Sequence, residues 1–223
     1  MSTDALINVN GGNVQALDIM LLLTVITLLP SLVVMMTSFT RYVVSFSFLR
    51  TAMGTQQTPP NSVLVGMALI LTLFTMTPTL NSIKTDAYDP YTQGTIDQEE
   101  FFQRAQVPIK DYMLRQTEIS SMALYCEMLD MEVPETEEEA GELPLQVIMP
   151  AFVTSELKEA FAIGFLLYIP FMLIDIIVSS TLMSMGMIML PPAMISTPFK
   201  ILLFILLDGW HLLFSSLVRG INW

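Results

Sequence analysis

The side chains able to do chemistry are few. There is one histidine, His211, and one cysteine, Cys126, so no intramolecular disulfide is possible and no zinc site of the usual ligand set can be built. A Cys–His nucleophile and base would require two residues far apart in sequence to meet, and no phosphate loop, HExxH or GxSxG string accompanies them. The sequence reads as a non-enzyme, with no catalytic residue, cofactor or metal. What remains are ionisable residues inside apolar sequence: Arg41, Asp175, Lys200 and Asp208. Charge in hydrocarbon is expensive unless paired or wetted, so such residues mark either ion pairs between helices or subunits, or an ion pathway. In the first reading Asp175 and Lys200 pair and fix register. In the second, Asp175 and Asp208 are coupling carboxylates, with His211 within a turn of Asp208.

The second unusual feature lies between Asp175 and Lys200. Met183, Met185, Met187 and Met189 alternate around Gly186, and Pro191-Pro192 closes the run. A helix does not pass easily through a glycine into two prolines, so irregular backbone is expected here. Apolar sequence on both sides puts that backbone in a membrane or an apolar assembly, where it is tolerated only if buried in protein or facing a water-filled cavity. Methionine is unbranched and repacks readily, which suits a deformable seal; it equally suits a helix end packed in a core.

The elements that must position these residues follow from composition. The 223 residues are 53% hydrophobic and only 13% charged, against about a quarter charged in a soluble domain. The deficit is concentrated in four apolar runs around a polar insert. The boundaries expected are a polar segment at 1–19, an apolar helical hairpin at 20–80, an acidic insert at 81–150, and a second apolar hairpin with the methionine loop at 151–223. The fold class is all-α: membrane-associated hairpins with kinks, plus a mainly helical insert. Met20 to Leu49 would make about 45 Å of helix, more than the roughly 30 Å of a hydrocarbon core, so Pro30 is expected to kink or break it. Arg41, beside Thr37, Ser38 and Thr40, implies a face that meets protein or water. Gly54 suits a helix C-terminal cap and Asn61 the next N-cap. Pro78 is placed at the end of the second run, and Thr154 or Ser155 at the start of the third.

The net charge is −12, and residues 81–150 carry most of it, with 15 acidic against four basic residues. No basic patch exists for nucleic acid. Within the insert, Asp97 and Glu100 form a capping-box-like helix start, Pro108 divides two helices, Glu118–Met131 offers another, and Glu135–Glu142 reads as a solvated acidic loop. Basic residues Arg41, Arg50 and Lys200 flank the connections expected in the cytoplasm, which puts the insert and both termini on the other side. The opening Met1-Ser-Thr-Asp4 has no basic leader pattern and is taken as a mature form with an added start methionine.

Several strings together resemble a known family: Leu28-Leu-Pro-Ser31, Met36-Thr-Ser-Phe-Thr-Arg41, Phe48-Leu-Arg50, Gly54-Thr-Gln-Gln-Thr-Pro-Pro-Asn61, Pro150-Ala-Phe-Val-Thr-Ser-Glu-Leu-Lys158, Phe171-Met-Leu-Ile-Asp175, the methionine run through Pro192, Pro198-Phe-Lys200 and Asp208-Gly-Trp210. On residues 20–80 and 145–218 the chain resembles the FliP/SctR family of type III secretion export-gate proteins, in its flagellar form. The resemblance implies a non-enzymatic subunit of the flagellar protein export gate, forming the channel for unfolded flagellar proteins. It implies a pentamer assembled as a ring with FliR-like and FliQ-like subunits, alongside FlhB-like and FlhA-like export components. The location implied is the bacterial inner membrane at the flagellar basal body, with the insert periplasmic. The family's methionine gasket falls on Met185, Met187 and Met189, with Met183 adjacent, and its subunit-pairing charges on Asp175 and Lys200. The alternative is a proton- or ion-coupled membrane transporter of small solutes.

Overall fold

A computed structural model describes residues 6–9, 12–187 and 189–222. The chain divides into two compact units, Met1–Met35 and Met36–Trp223. The first holds the only strands among the described residues, β1 (Leu6–Val9) and β2 (Gly12–Gln15), paired antiparallel with Val9 opposite Gly12 and Leu6 opposite Gln15. This short hairpin is a departure from the all-helical expectation. Asn10 and Gly11, between the two strands, lie outside the described residues. Helix α1 (Ala16–Met36) follows, with Pro30 inside it. It ends at Met36 rather than at Pro30, and Thr24 and Thr27 turn their hydroxyls back onto the carbonyls of Met20 and Thr24. Back-bonding of this kind satisfies hydroxyls on a helix that has no polar face.

The second unit is helical throughout. Its elements are α2 (Phe39–Met53), α3 (Asn61–Thr75), α4 (Thr77–Ile83), a π-helical turn (Lys84–Tyr88), α5 (Asp89–Thr92), α6 (Gln98–Gln116), α7 (Ile119–Met128), α8 (Glu137–Glu142), α9 (Leu145–Ser184), α10 (Pro192–Leu206) and α11 (Gly209–Arg219). Helix α9 has 40 residues and is long and apolar enough to cross a membrane. At about 60 Å it is twice the thickness of a hydrocarbon core. Two bent pairs, Asn61–Thr75 with Thr77–Thr92 (55°) and Pro192–Leu206 with Gly209–Arg219 (65°), have span-like length and composition, as does Pro30–Met53.

The core sits on the first half of α9. Val147, Ile148, Ala151, Phe152, Ser155, Glu156, Ala160 and Gly164 are its buried residues there, a stripe at helical spacing that faces α2, α6 and α7. Beyond Gly164 only Phe171 and Leu182 are buried, and residues such as Phe165, Ile169 and Ile176 are exposed. Close approach of α2 depends on Gly164: a Cβ there would lie 2.4 Å from the Phe48 ring. Phe48 in turn meets Phe161 edge-on at 5.0 Å.

Several local expectations are corrected. Helix α9 starts at Leu145 and runs through Pro150, so Thr154 and Ser155 lie inside it and cap nothing. One backbone hydrogen bond is lost at Pro150, and burying Val147, Ile148, Ala151 and Phe152 outweighs it. Helix α6 likewise continues through Pro108. Pro78 begins α4 instead of ending a run, as prolines in a first helical turn often do. Asn61 is the first residue of α3, after an extended Pro60, and its side-chain oxygen accepts from Arg50 at 2.5 Å. The acidic stretch at 137–142 is a helix, capped by the Thr136 hydroxyl accepting from the Glu139 amide. Asp97 caps α6 as expected, accepting from the Glu100 amide at 2.8 Å, while the Glu100 carboxylate turns to Arg104.

Candidate functional site

Helix α9 ends in a motif that the sequence around Gly186 dictates. Gly186 adopts φ +76°, the left-handed region where a side chain is strained. The Gly186 amide donates to the Met183 carbonyl (3.0 Å) and the Met187 amide to the Leu182 carbonyl (3.0 Å). This pair of bonds satisfies two carbonyls left over at the helix end. Helix α10 then starts at Pro192, whose missing amide costs nothing in a first turn. The connection thus bends between two prolines and a glycine, as expected. Met183, Met185, Met187 and Met189 are all exposed, Met189 by 98%, while Leu182 beneath them is buried. Ile188 lies outside the described residues.

Asp175 and Lys200 are the charged supports of this loop. One sits two to three turns before the end of α9, the other two turns into α10. The structure brings them together within one chain: Lys200 Nζ donates to Asp175 Oδ2 at 2.6 Å. The ammonium also donates to the Ala52 carbonyl at 3.0 Å, in the last turn of α2, where helix carbonyls lack partners and cations are favoured. Lys200 therefore ties three helices at one point. The burial is uneven: the Lys200 side chain is 8% exposed and that of Asp175 is 44% exposed. Gly54, in the left-handed conformation expected of its cap, packs close by, since a Cβ there would lie 3.0 Å from Thr197 Oγ1.

A second buried ion pair escaped sequence reasoning. Arg41 Nε and Nη2 donate to Glu156 Oε2 and Oε1 at 2.9 and 2.6 Å, a two-point pairing of two buried side chains. Its remaining Nη1 donates to the Gly220 carbonyl at 2.9 Å. Arg41 does meet protein, as its setting implied. The pairing has no local signal in the sequence, because Arg41 and Glu156 are 115 positions apart and no local spacing rule could join them. Polar links surround the pair. Ser38 and Tyr112 share a hydrogen bond, the Glu118 amide donates to Ser155 Oγ, and Lys158 bonds the Glu118 carboxylate. Burial raises the Tyr112 phenol above its usual range, and the bond from Lys158 lowers the Glu118 carboxyl. Gln116 and Asn222 exchange two hydrogen bonds, which fastens the segment after α11 to the end of α6.

The remaining candidates are not drawn into these clusters. Asp208 has φ +49° between α10 and α11, and neither it nor His211 has an ion-pair partner among the described residues. Cys126 is fully buried in α7, and burial raises its thiol, which makes it an inert core side chain. No metal-holding group of His, Cys, Asp or Glu occurs among the described residues.

Charge pairs that join helices, a long apolar span whose second half is largely exposed, and an exposed methionine bend define a helical membrane protein. The chain belongs to the FliP family, which matches residues 22–217. It is 48% identical over 213 residues to the flagellar biosynthetic protein FliP of Pectobacterium carotovorum subsp. carotovorum, covering 95% of this chain and 81% of that protein. It is 48% identical over 206 residues to the Bacillus subtilis (strain 168) protein of the same name, covering 92% of each. The Aquifex aeolicus (strain VF5) protein is 46% identical over 211 residues, covering 94% and 87%. Membership makes this a protein of the flagellar export apparatus and not an enzyme. The small-solute transporter alternative is set aside on that ground.

Proposed function

We propose that this chain is a ring-forming subunit of the flagellar type III export gate in the bacterial inner membrane, and that its methionine bend is the seal of the channel through which unfolded flagellar proteins pass. The observation that carries this reading is the bend itself. Four exposed methionines flank a glycine turn whose base is stapled by Lys200. A packed helix end would bury them. In a ring of five copies such tips would converge on an axis and dewet a constriction, blocking ions at rest while yielding to a polypeptide.

Two further elements support assembly. The bare face of α9 beyond Gly164 offers apolar surface to neighbouring copies, to FliR-like and FliQ-like subunits or to lipid, with FlhB-like and FlhA-like components completing the apparatus. Asp175, paired within its chain yet 44% exposed, retains acceptor capacity for a neighbouring subunit.

Trimming Met185, Met187 and Met189 to alanine removes bulk without adding polarity. The expected outcome is a complex that assembles normally but leaks ions, read as conductance or solute uptake in cells making the triple variant. Normal impermeability with normal assembly would overturn the seal.

A further inference from the structure

The insert holds an open groove that the chain does not fill. It lies between the C-terminal part of α6, the start of α7 and the stretch from Val133 to Ala140, with a volume of about 320 Å³. Leu114, Ile119, Met122 and Val133 form an apolar floor, and Ile119 is 79% exposed. Helix α7 also exposes Leu124 and Met128. Open apolar surface with a polar rim marks an interaction site more often than a bare surface. Here the charge around the floor is predominantly acidic. Asp111, Arg115 and Glu135 line it, and the adjoining stretch 132–142 carries six glutamates and no lysine or arginine. The cations of α6 nearby in sequence are engaged: Arg115 with Asp111, and Lys110 with the Gly141 carbonyl at 2.7 Å.

We propose that this groove docks a basic amphipathic segment of a partner protein, with apolar side chains on the floor and lysines or arginines meeting Glu135 and the adjoining glutamates. An apolar floor provides affinity for such a segment, and a predominantly acidic surround selects against acidic ones. A second copy of this chain does not fit the description. Its own insert, with 15 acidic against four basic residues, would set acid against acid.

The test uses the full chain purified in mild detergent and a fluorescent leucine/lysine helical peptide. The controls are a leucine/glutamate peptide of the same apolar pattern and a lysine/serine peptide without leucines. Saturable binding by the leucine/lysine peptide alone is expected. Glu135→Lys with Glu138→Lys, or Ile119→Ser, each checked for unchanged helix content, should weaken it about tenfold. Equal binding by the leucine/glutamate peptide, or by the variants, would overturn the proposal. In cells, a photo-cross-linking residue at Val133 should capture a basic amphipathic segment of another protein. Capture of a second copy, of an acidic or uncharged segment, or of nothing in assembled complexes would also overturn it.

Discussion

At the scale of single residues, the two buried cations do different work, and their variants should separate. Arg41 and Glu156 are both buried, so removing either leaves an unpaired charge in the core. Glu156→Gln is expected to cost about 3–5 kcal/mol, while Arg41→Met combined with Glu156→Leu should recover most of it. Thermal unfolding of the purified chain checks both, and equal losses in the single and double variants would contradict the pairing account. The Lys200 cluster is lopsided. Asp175→Asn leaves a buried ammonium with no counter-charge, whereas Lys200→Met leaves a carboxylate that water can reach. Asp175→Asn should therefore cost more, about 2–3 kcal/mol against about 1 kcal/mol for Lys200→Met. Both should lower the yield of assembled complex, and wild-type yield from both would remove any role for the pair in assembly.

At the scale of elements, the legible features were those with a local cause. Gly54 and Gly186 end helices because their backbone turns left-handed, and Asp97 caps α6 because a short acid reaches the third amide. The features that could not be read locally were decided by distant packing. Pro108 and Pro150 sit inside helices because neighbouring residues are buried, and Asn61 gives its oxygen to Arg50 rather than to its own helix. Gly164 and Gly209 belong to this second kind. Nothing around them in sequence shows why they are glycine, yet a Cβ would fall 2.4 Å from Phe48 and 2.2 Å from Phe204 respectively. Gly164→Ala should destabilise the packing of α2 on α9 by about 1–3 kcal/mol, and shrinking the ring with Phe48→Leu should restore part of it. Thermal stability of the three chains decides this. An additive loss in the double variant would show that the ring and the glycine do not share the contact.

At the scale of the whole molecule, the order of apolar runs and acidic insert was plain from composition, and the family strings from Leu28 to Trp210 coincide with most of the matched region. The side of the membrane on which the insert lies rests on separate grounds. Arg41 was one of three basic residues used to place the insert outside the cytoplasm, and it proves to be buried against Glu156, unable to act as a free surface charge in the folded chain. Lys200 is buried too. Only Arg50 of the three remains less than fully buried, held by Pro59 and Asn61. Orientation is set while the segments insert, before these pairs form, so the positive-inside argument survives for the nascent chain. It is therefore open to a direct check on the folded protein. Glu138 is exposed on α8 and Cys126 is fully buried. In a Cys126→Ser background, Glu138→Cys should react with a membrane-impermeant thiol reagent added to intact spheroplasts, and a cysteine at exposed Gln57, in the connection between α2 and α3, should react only after lysis. The opposite pattern would turn the topology over and place the acidic insert, with its groove, in the cytoplasm.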